Sequence, residues 1–413
     1  MIGAASAIIT LILAATGWIS TTPDLMLRQA YRLGAESDVP LGVQILVYTV
    51  AAFAFAWTTI DITRPGLKTL VALSGAGLFF TASGVAALYG YYFSPFPTVF
   101  AILLSYGIGM LYGRSGSGSR KRRIERLFQQ RVSKGDFARL LNGEQPGDFP
   151  GQLVDGTVLV CEITNYRELM ELMTPEDCAS MTNLYLQTAS DYLVEVGGYL
   201  DECTGESLRV VFGAPVPDEN HATKACRAAL DLMARLDLLN KECDATWQRR
   251  FDFRIGINSG EMIGAAFGGV RLANFSVAGP AVEFARRLCS GCSIYGCRIL
   301  VGAETFDHAS EMFEARPVEV VKGTGDRRRV ELYEVLSPKN ALSPERERSR
   351  DHFWRGVLYY REKKWDKALE EFQNARITGI PDALLDFYLR RVERGRKGSG
   401  DSDREQALLF EAV

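Results

Sequence analysis

The chain has 413 residues, which is enough for two or three domains. It contains 47 Lys and Arg against 50 Asp and Glu, and the formal net charge of −3 excludes the strongly basic composition typical of nucleic-acid-binding proteins. We therefore expect no nucleic-acid partner. The charge is distributed unevenly, because the first quarter of the sequence carries very little of it.

Four apolar stretches in that first quarter are candidate transmembrane helices. They cover approximately residues 2–20, 42–60, 67–92 and 97–113, and a helix needs about 20 apolar residues to cross a bilayer. We predict an N-terminal bundle of about four transmembrane helices over residues 1–113.

The positions of Lys and Arg predict the orientation of this bundle. A dense basic cluster at 114–123 directly follows the last apolar stretch, and such clusters stay on the cytoplasmic side. We therefore predict a multi-pass protein of the plasma (inner) membrane, with both termini and all of the chain after residue 113 in the cytoplasm. Arg28 and Arg32 are contrary to this rule, because the topology places the segment 21–41 outside.

Small residues recur every fourth position on the last apolar stretch, at Ser105, Gly109 and Gly113. This spacing lets another helix approach closely. The neighbour is either the same helix of a second copy or another helix of the same protomer.

Residues 114–150 form a basic linker with an amphipathic coupling helix. The helix is predicted over 120–141, and its apolar stripe consists of Ile124, Leu127, Phe128 and Val132. Gly and Pro between 143 and 151 separate it from the next domain.

Residues 151–337 alternate between strand and helix patterns. We predict a strand at 158–163, a hairpin at 199–203 and 207–212, strands at 251–257, 261–267 and 272–277, and further strands near Ile299 and Val318. Helices are predicted at 175–196, 218–241 and 280–289. This order, with hairpins as well as crossovers, indicates an α+β domain with helices packed on one sheet.

Two acidic residues lie at the ends of otherwise apolar strands. Glu162 ends the first strand, and Glu206 precedes the second strand of the hairpin. A carboxylate at a buried edge is costly unless it is paired, hydrogen-bonded or bound to a metal, so these two could converge on one divalent cation. The alternative is a pair of solvated edge carboxylates without a metal.

Five segments carry a family resemblance: TVLVCEITNY, TGESLRVVFGAPVPDENHATKACRAAL, FRIGINSGEMIGAAFGG, FSVAGPAVEFARRL and VKGTG. Their residue types and order resemble the catalytic domain of class III adenylate/guanylate cyclases across residues 155–336. The whole layout is similar to CHASE2-type cyclases, although their extracytoplasmic sensor would be missing. The resemblance implies a ferredoxin-like domain that converts ATP or GTP into a 3′,5′-cyclic nucleotide and pyrophosphate. It also implies two Mg or Mn ions and active sites formed between protomers of a homodimer, or of a heterodimer with another cyclase domain.

The resemblance assigns the metal positions to Glu162 and Glu206, where the family has Asp. Each side chain is longer by one methylene, while Mg²⁺ requires nearly octahedral bonds of about 2.0–2.1 Å. The positions that read the purine correspond to Glu202 and Ser276. A carboxylate at the first of these accepts from guanine N1–H and N2–H₂, so this pair favours GTP.

Further positions of the family's active site contact ribose and phosphate. Arg287 matches the arginine that stabilises the transition state, and Lys322 matches the lysine that binds the terminal phosphates. Glu283 replaces the Asn that positions the ribose. Asn165 and Tyr166 replace Gly-Phe in the phosphate-facing turn, and Asn tolerates the left-handed backbone that such a turn uses.

These departures leave two functions open. The first is an active membrane-bound purine nucleotide cyclase for signal transduction. The second is a catalytically degenerate cyclase-like domain that acts as a dimerising or nucleotide-sensing scaffold.

Residues 344–396 form a helical tail that resembles one tetratricopeptide repeat, and 397–413 is a tail of uncertain structure. Five positions match the repeat: Gly356, Tyr359, Ala368, Phe372 and Ala375. Since one repeat cannot bury its own apolar face, we expect it to pack on the preceding domain or on a protein partner. An ordinary helical hairpin that closes the fold is the alternative.

Overall fold

The computed structural model describes residues 2–19, 21–31, 38–62, 65–114, 116–128, 130–143, 149–269, 273–322 and 329–397. The chain divides into two compact units, Met1–Arg122 and Arg123–Val413. The predicted C-terminal segment after residue 397 and the glycines of VKGTG lie outside the described residues.

The first unit is helical. Its helices are α1 (Ile2–Ala15), α2 (Thr21–Tyr31), α3 (Leu41–Asp61), α4 (Pro65–Leu88) and α5 (Pro95–Arg114), and α6 (Gly116–Phe128) begins in it. Among the described residues, three segments are long and apolar enough to cross a membrane: Leu41–Thr59, Gly66–Leu88 and Pro95–Tyr112. They coincide with three of the four predicted spans. The apolar helix α1 has 14 residues, which is shorter than a usual span.

The small residues of α5 pack inside the protomer. The Ser105 hydroxyl donates to the Ala52 carbonyl of α3 at 3.1 Å. A Cβ at Gly109 would lie 2.7 Å from Cγ2 of Thr59, also on α3. Of the two alternatives for this stripe, the structure therefore shows α5 packed against α3 of the same chain at both positions.

The segment between the first two apolar stretches contains helix α2 and an ion-paired arginine. The Arg28 guanidinium lies 2.6 Å from the Asp38 carboxylate and 4.2 Å from the ring centre of Tyr92. Asp24 accepts hydrogen bonds of 2.7 Å from the hydroxyls of Tyr92 and Ser94. Asp38 balances the charge of Arg28. This arginine therefore argues only weakly against the predicted position of the segment 21–41 on the extracytoplasmic side of the membrane.

The second unit is built on one eight-stranded sheet with the order β2-β3-β1-β4-β6-β8-β7, and β5 pairs with β4. The strands are β1 (Gln152–Ile163), β2 (Tyr199–Cys203), β3 (Ser207–Phe212), β4 (Phe253–Phe267), β5 (Asn274–Ala278), β6 (Ile299–Gly302), β7 (Phe313–Lys322) and β8 (Arg329–Pro338). The order β2-β3-β1-β4, with a helix before β2 and another after β3, is the ferredoxin-like arrangement. The predicted α+β class is confirmed.

The helices of this unit are α7 (Lys134–Asn142), α8 (Tyr166–Leu172), α9 (Pro175–Glu195), α10 (His221–Trp247), α11 (Pro280–Tyr295), α12 (Ala303–Ala309), α13 (Pro344–Arg361), α14 (Trp365–Asn374) and α15 (Ala383–Arg396). Two strands predicted separately at 251–257 and 261–267 are one strand, β4. The helix predicted to end at Cys289 continues to Tyr295 and ends on Gly296, whose φ of 71° suits a helix C-terminus.

Strand β1 separates two apolar clusters. Leu159 and Cys161 face the core formed with α9 and α10, whereas Val158 and Val160 belong to a cluster with Phe128 and α11. Successive side chains of a strand point to opposite faces. Glu162 therefore lies on the face that α11 covers.

The single coupling helix predicted over 120–141 is wrong, because α6 ends at Phe128 and α7 begins at Lys134. Ser133 starts the second helix, since its Oγ accepts from the Asp136 amide at 3.1 Å. Between the helices, the Arg131 carbonyl accepts from the Leu200 amide at 2.9 Å, and its guanidinium donates to the Asp201 carbonyl at 3.0 Å. The predicted apolar stripe is nevertheless buried: Ile124, Leu127, Phe128 and Val132.

The C-terminal helices pack on the sheet domain, defined here as residues 152–338. Phe353, Phe372 and Tyr388 of α13–α15 share one apolar cluster with residues of α11 and β6–β8. Arg316 of β7 makes a two-point ion pair with Asp382, the residue before α15. The expectation that this tail packs on the preceding domain is confirmed. The assignment to a tetratricopeptide repeat stays a prediction.

Within the tail, α13 and α14 form a close hairpin. A Cβ at Gly356 would lie 2.6 Å from Cε1 of Phe372, so only glycine fits there without moving the ring. Ala368, Phe372 and Ala375 are buried, as their positions in the repeat pattern require.

Candidate active site

The end of β1 and the β2–β3 turn bring the two predicted metal carboxylates together. Glu162 pairs with Ser207 across β1 and β3, so Glu206 is the next residue along the turn. The Ile163 amide donates to the Glu206 carbonyl at 2.9 Å, which fixes the turn against the strand end. Glu162 is half-buried and Glu206 is exposed.

The environment of Glu162 is set by α11 and by its acidic neighbour. Burial raises the pKa of Glu162, whereas a hydrogen bond with Cys289 and the positive charge of Arg286 lower it. The negative charge of Glu206 raises this pKa further. A cation bound between the two carboxylates would offset this repulsion.

Helix α11 reaches this position because it lies very close to β4. A Cβ at Gly256 would lie 2.8 Å from Cα of Cys289, and closer still to the Cys289 amide nitrogen and the Ala285 carbonyl oxygen. A glycine is therefore required at this point of the sheet. The close approach places Cys289 and Arg286 beside Glu162.

The side chains of Tyr166 and Asn165 support the site by contacting the backbone of neighbouring segments. A Cβ at Gly205 would lie 3.0 Å from the Tyr166 hydroxyl, so this ring lies against the turn that carries Glu206. The Asn165 amide donates to the Arg250 carbonyl at 3.0 Å and accepts from the Asp252 amide at 2.9 Å. Asn165 does not use the left-handed backbone that it would tolerate: it has φ −98° and ψ 19°, and its side chain holds the segment before β4.

Glu202 belongs to a network of alternating charges. Its carboxylate lies 2.8 Å from the Arg209 guanidinium and 3.7 Å from that of Arg286. Arg209 also pairs with the buried carboxylate of Asp201 at 2.7 Å. The register of β2 and β3 shifts at Asp201, so Glu202 lies opposite Arg209 immediately after a bulge.

The remaining predicted residues lie on β5, α11 and β7. Ser276 is half-buried in the middle of β5, which pairs with β4. Glu283 is exposed in the first turn of α11, where the helix dipole favours a carboxylate, and Arg287 follows one turn later, half-buried. Lys322 is the last residue of β7, and its side chain lies outside the described part of the structure.

Comparison with known proteins identifies the sheet domain of the second unit. Residues 152–337 match the family model described as the adenylate and guanylate cyclase catalytic domain. Residues 152–337 are therefore an adenylate and guanylate cyclase catalytic domain.

Relatives of this cyclase domain include two named adenylate cyclases. The chain is 26% identical over 204 residues to adenylate cyclase 1 of Rhizobium meliloti, which covers 49% of this chain and 31% of that protein. It is 28% identical over 186 residues to adenylate cyclase of Anabaena cylindrica, which covers 43% and 36%. The chain thus spans about a third of the length of these curated relatives. A crystal structure of the adenylyl cyclase CyaB from P. aeruginosa aligns at 24% identity with a TM-score of 0.43, over 47% of this chain and 100% of that one.

The donor set of the cyclase domain suits a hard divalent cation. Glu162 and Glu206 offer carboxylate oxygens, which Mg²⁺ and Mn²⁺ prefer. In the described part of the chain, no group of three or more His, Cys, Asp or Glu residues is placed to hold a metal. Two carboxylates match the usual Mg²⁺ site, where water and substrate phosphates complete the coordination.

Two arginines of the cyclase domain's site escaped the sequence reasoning. Arg209 lies opposite Glu202 only because the register of the hairpin shifts at Asp201, whereas a regular pairing of the predicted strands would place it opposite Asp201. Arg286 precedes the predicted catalytic arginine, but sequence does not indicate that its side chain reaches Glu202 on another element.

Proposed function

We propose that this chain is a membrane-anchored purine nucleotide cyclase that converts ATP or GTP into a 3′,5′-cyclic nucleotide and pyrophosphate. The observation that carries the proposal is the meeting of Glu162 and Glu206 at the end of β1, next to Arg286 of α11. The cyclase family of residues 152–337 and the chemistry of the paired carboxylates both support it.

Each residue has a specific task in this proposal. Glu162 and Glu206 would hold Mg²⁺ or Mn²⁺, and the bound ion would activate the ribose 3′-hydroxyl and neutralise phosphate charge. Arg287 would stabilise the charge that develops on the α-phosphate, and Lys322 would bind the leaving pyrophosphate. Asn165 and Tyr166 would keep the strand end and the turn in place around the metal carboxylates.

The charge balance of the site favours activity more than the sequence pattern alone suggests. Glu202, Glu206 and Glu283 add negative charge beside a polyanionic substrate. Arg209, which is shared with the buried Asp201, and Arg286 both lie within ion-pair distance of Glu202, so its charge is partly compensated within the protomer. Charge-assisted pairs of this kind reduce the repulsion that a triphosphate would experience.

The assembly is part of the proposal. We infer that α3–α5 anchor the chain in the membrane and that the cyclase domain faces the cytoplasm, as the basic cluster after α5 predicts. The active sites would form between two protomers, in a homodimer or with another cyclase domain. Since Ser105 and Gly109 of α5 are used within the protomer, the membrane part would contribute other helix faces to this dimer.

Glu283 favours a second candidate function. This exposed carboxylate stands where the family has the Asn that positions the ribose. A domain that binds a nucleotide without converting it would serve as a dimerising or nucleotide-sensing scaffold, and the C-terminal helices could then recruit a protein partner.

Turnover distinguishes the two functions. The full-length protein in lipid nanodiscs is incubated with ATP or GTP and Mn²⁺, and the cyclic products are separated by chromatography. We expect a cyclic nucleotide from the wild type and none from Glu162→Ala or Glu206→Ala, while Asp237→Ala, which breaks an exposed ion pair with Arg298 elsewhere, retains activity.

A double change tests the length of the metal-binding side chains. Glu162→Asp combined with Glu206→Asp should raise the turnover if the extra methylene limits metal geometry. Nucleotide binding by the wild type without any product would favour the scaffold, and product formation by Glu162→Ala would contradict the assigned metal role.

A further inference from the structure

A chain of alternating charges leads from the core of the cyclase domain to its predicted base-reading residue. Asp201 binds Arg209 at 2.7 Å, Arg209 binds Glu202 at 2.8 Å, and Arg286 lies 3.7 Å from Glu202. The four residues come from β2, β3 and α11. Their arrangement connects the edge hairpin with the helix that carries Arg287.

The two arginines differ in how firmly they are held. The Asp201 side chain is fully buried and that of Arg209 is 14% exposed, so this pair is fixed in the domain. The Asp201 Oδ1 is buried without a hydrogen-bond partner, which makes Arg209 the partner that compensates its charge. The Arg286 side chain is 50% exposed and lies at the surface of the site.

Both arginines contact the same oxygen of Glu202. Among the described residues, the ion pairs with Arg209 and Arg286 both end on Oε2 of this carboxylate. The side chain of Glu202 is 46% exposed. Arg209 therefore anchors this carboxylate at hydrogen-bond distance, Arg286 adds a longer-range attraction, and the half-exposed carboxylate remains accessible to a ligand.

An anchored carboxylate discriminates between purines by its acceptor character. An ionised carboxylate has acceptor sites only. Guanine presents the donors N1–H and N2–H₂ on its pairing edge, whereas adenine presents the acceptor N1 beside a single amino group. A site with an acceptor opposite adenine N1 leaves two acceptors facing each other, and a mismatch of this kind is strongly rejected in a desolvated pocket.

We propose that Arg209 and Arg286 are positioning residues that hold the Glu202 side chain as a fixed acceptor and thereby make GTP the preferred nucleotide. This inference rests on the proposed function, because it assumes that the cleft binds a purine nucleotide. It assigns to Arg286 a role separate from that of the neighbouring Arg287, which would act on phosphate.

Binding of fluorescent nucleotides tests the inference independently of turnover. The dissociation constants of mant-GTP and mant-ATP are measured with the full-length protein in nanodiscs with Mn²⁺, and kcat and KM are measured for GTP and ATP in parallel. We expect the wild type to prefer mant-GTP. Arg286→Ala should reduce the ratio of the two dissociation constants about two- to fivefold, the loss typical of a half-exposed ion pair.

Three further variants make the result specific. Arg286→Lys retains the charge and should restore most of the preference. Glu202→Gln removes the charge of the acceptor at nearly the same size, and adding Arg286→Ala to it should change the ratio no further, because the two residues act through one contact. Arg298→Ala, which breaks an exposed ion pair with Asp237, should leave the ratio unchanged.

Thermal unfolding of each variant confirms that it is folded, and a folded Arg209→Ala protein should lose more of the preference for mant-GTP than Arg286→Ala does, because its ion pair with Glu202 is shorter. A wild type that binds mant-ATP as tightly as mant-GTP, or a folded Arg286→Ala protein with an unchanged ratio, overturns the inference. Selective binding of mant-GTP without any cyclic product would support the inference and refute the proposed cyclase activity.

Discussion

The contact between β4 and α11 can be tested by adding one methyl group. In Gly256→Ala, the new Cβ would lie 2.8 Å from Cα of Cys289. Ordinary carbon–carbon contacts begin near 3.4 Å, so α11 would have to retreat from the sheet by roughly 0.6 Å or more at this point. The polar atoms of Cys289 and Ala285 are closer still and add to the displacement.

Stability and activity should respond differently to this shift. Overpacking of a well-packed core costs about 1–3 kcal/mol, which corresponds to a fall in Tm of roughly 2–10 °C for a domain of this size. A displacement of about 1 Å can reduce a catalytic rate about 100-fold. Because α11 carries Glu283, Arg286 and Arg287, we expect the loss of kcat to exceed what the loss of folded protein explains.

The assay compares Tm and kcat of the full-length protein in nanodiscs at a temperature well below the unfolding transition. Gly151→Ala is the matched control, because its Cβ would meet only Cγ2 of Ile263 at an ordinary 3.7 Å. A Gly256→Ala protein with the Tm and kcat of the wild type would refute the argument that the close approach of α11 builds the site.

Three further outcomes are expected, each measured by thermal unfolding. Asp382→Ala should lower the stability by about 2–3 kcal/mol, because the buried Arg316 keeps only Glu334 as an ion-pair partner among the described residues and α15 loses the side chain that accepts from the Leu385 amide; a cost below 1 kcal/mol would contradict this. Gly109→Leu should destabilise the membrane helices, since even a Cβ would lie 2.7 Å from Thr59, while Gly107→Leu, with open space around it, should not. Burial holds the pKa of His221 below its ordinary value, so its contribution to stability is present above pH ~6.5 and is lost as the pH falls below that value. His221→Gln should therefore flatten the dependence of Tm on pH between about 7.5 and 5.5, and an unchanged slope would disprove this assignment.

Local patterns predicted the parts of the fold that depend on local interactions. The hairpin β2–β3 was predicted with the observed bounds, because Thr204, Gly205 and Glu206 form a turn between two β-rich runs. The adjacency of Glu162 and Glu206 follows from that hairpin, since β3 pairs with β1. The three long apolar helices were predictable from composition alone.

Features that depend on tertiary contacts could not be predicted in the same way. The break between α6 and α7 arises because the Arg131 carbonyl accepts from β2 rather than continuing a helix. The backbone of Asn165 is set by two hydrogen bonds to the segment before β4, which lies almost ninety residues later in the chain. Arg286 reaches Glu202 only because α11 approaches the sheet at Gly256.

The docking of the C-terminal helices limits how this chain can associate. In a solenoid, each repeat leaves one apolar side open for the next. Here α11 and β6–β8 occupy that side, through the cluster with Phe353, Phe372 and Tyr388. Growth of a helical array on that side is therefore blocked by the cyclase domain of the same polypeptide.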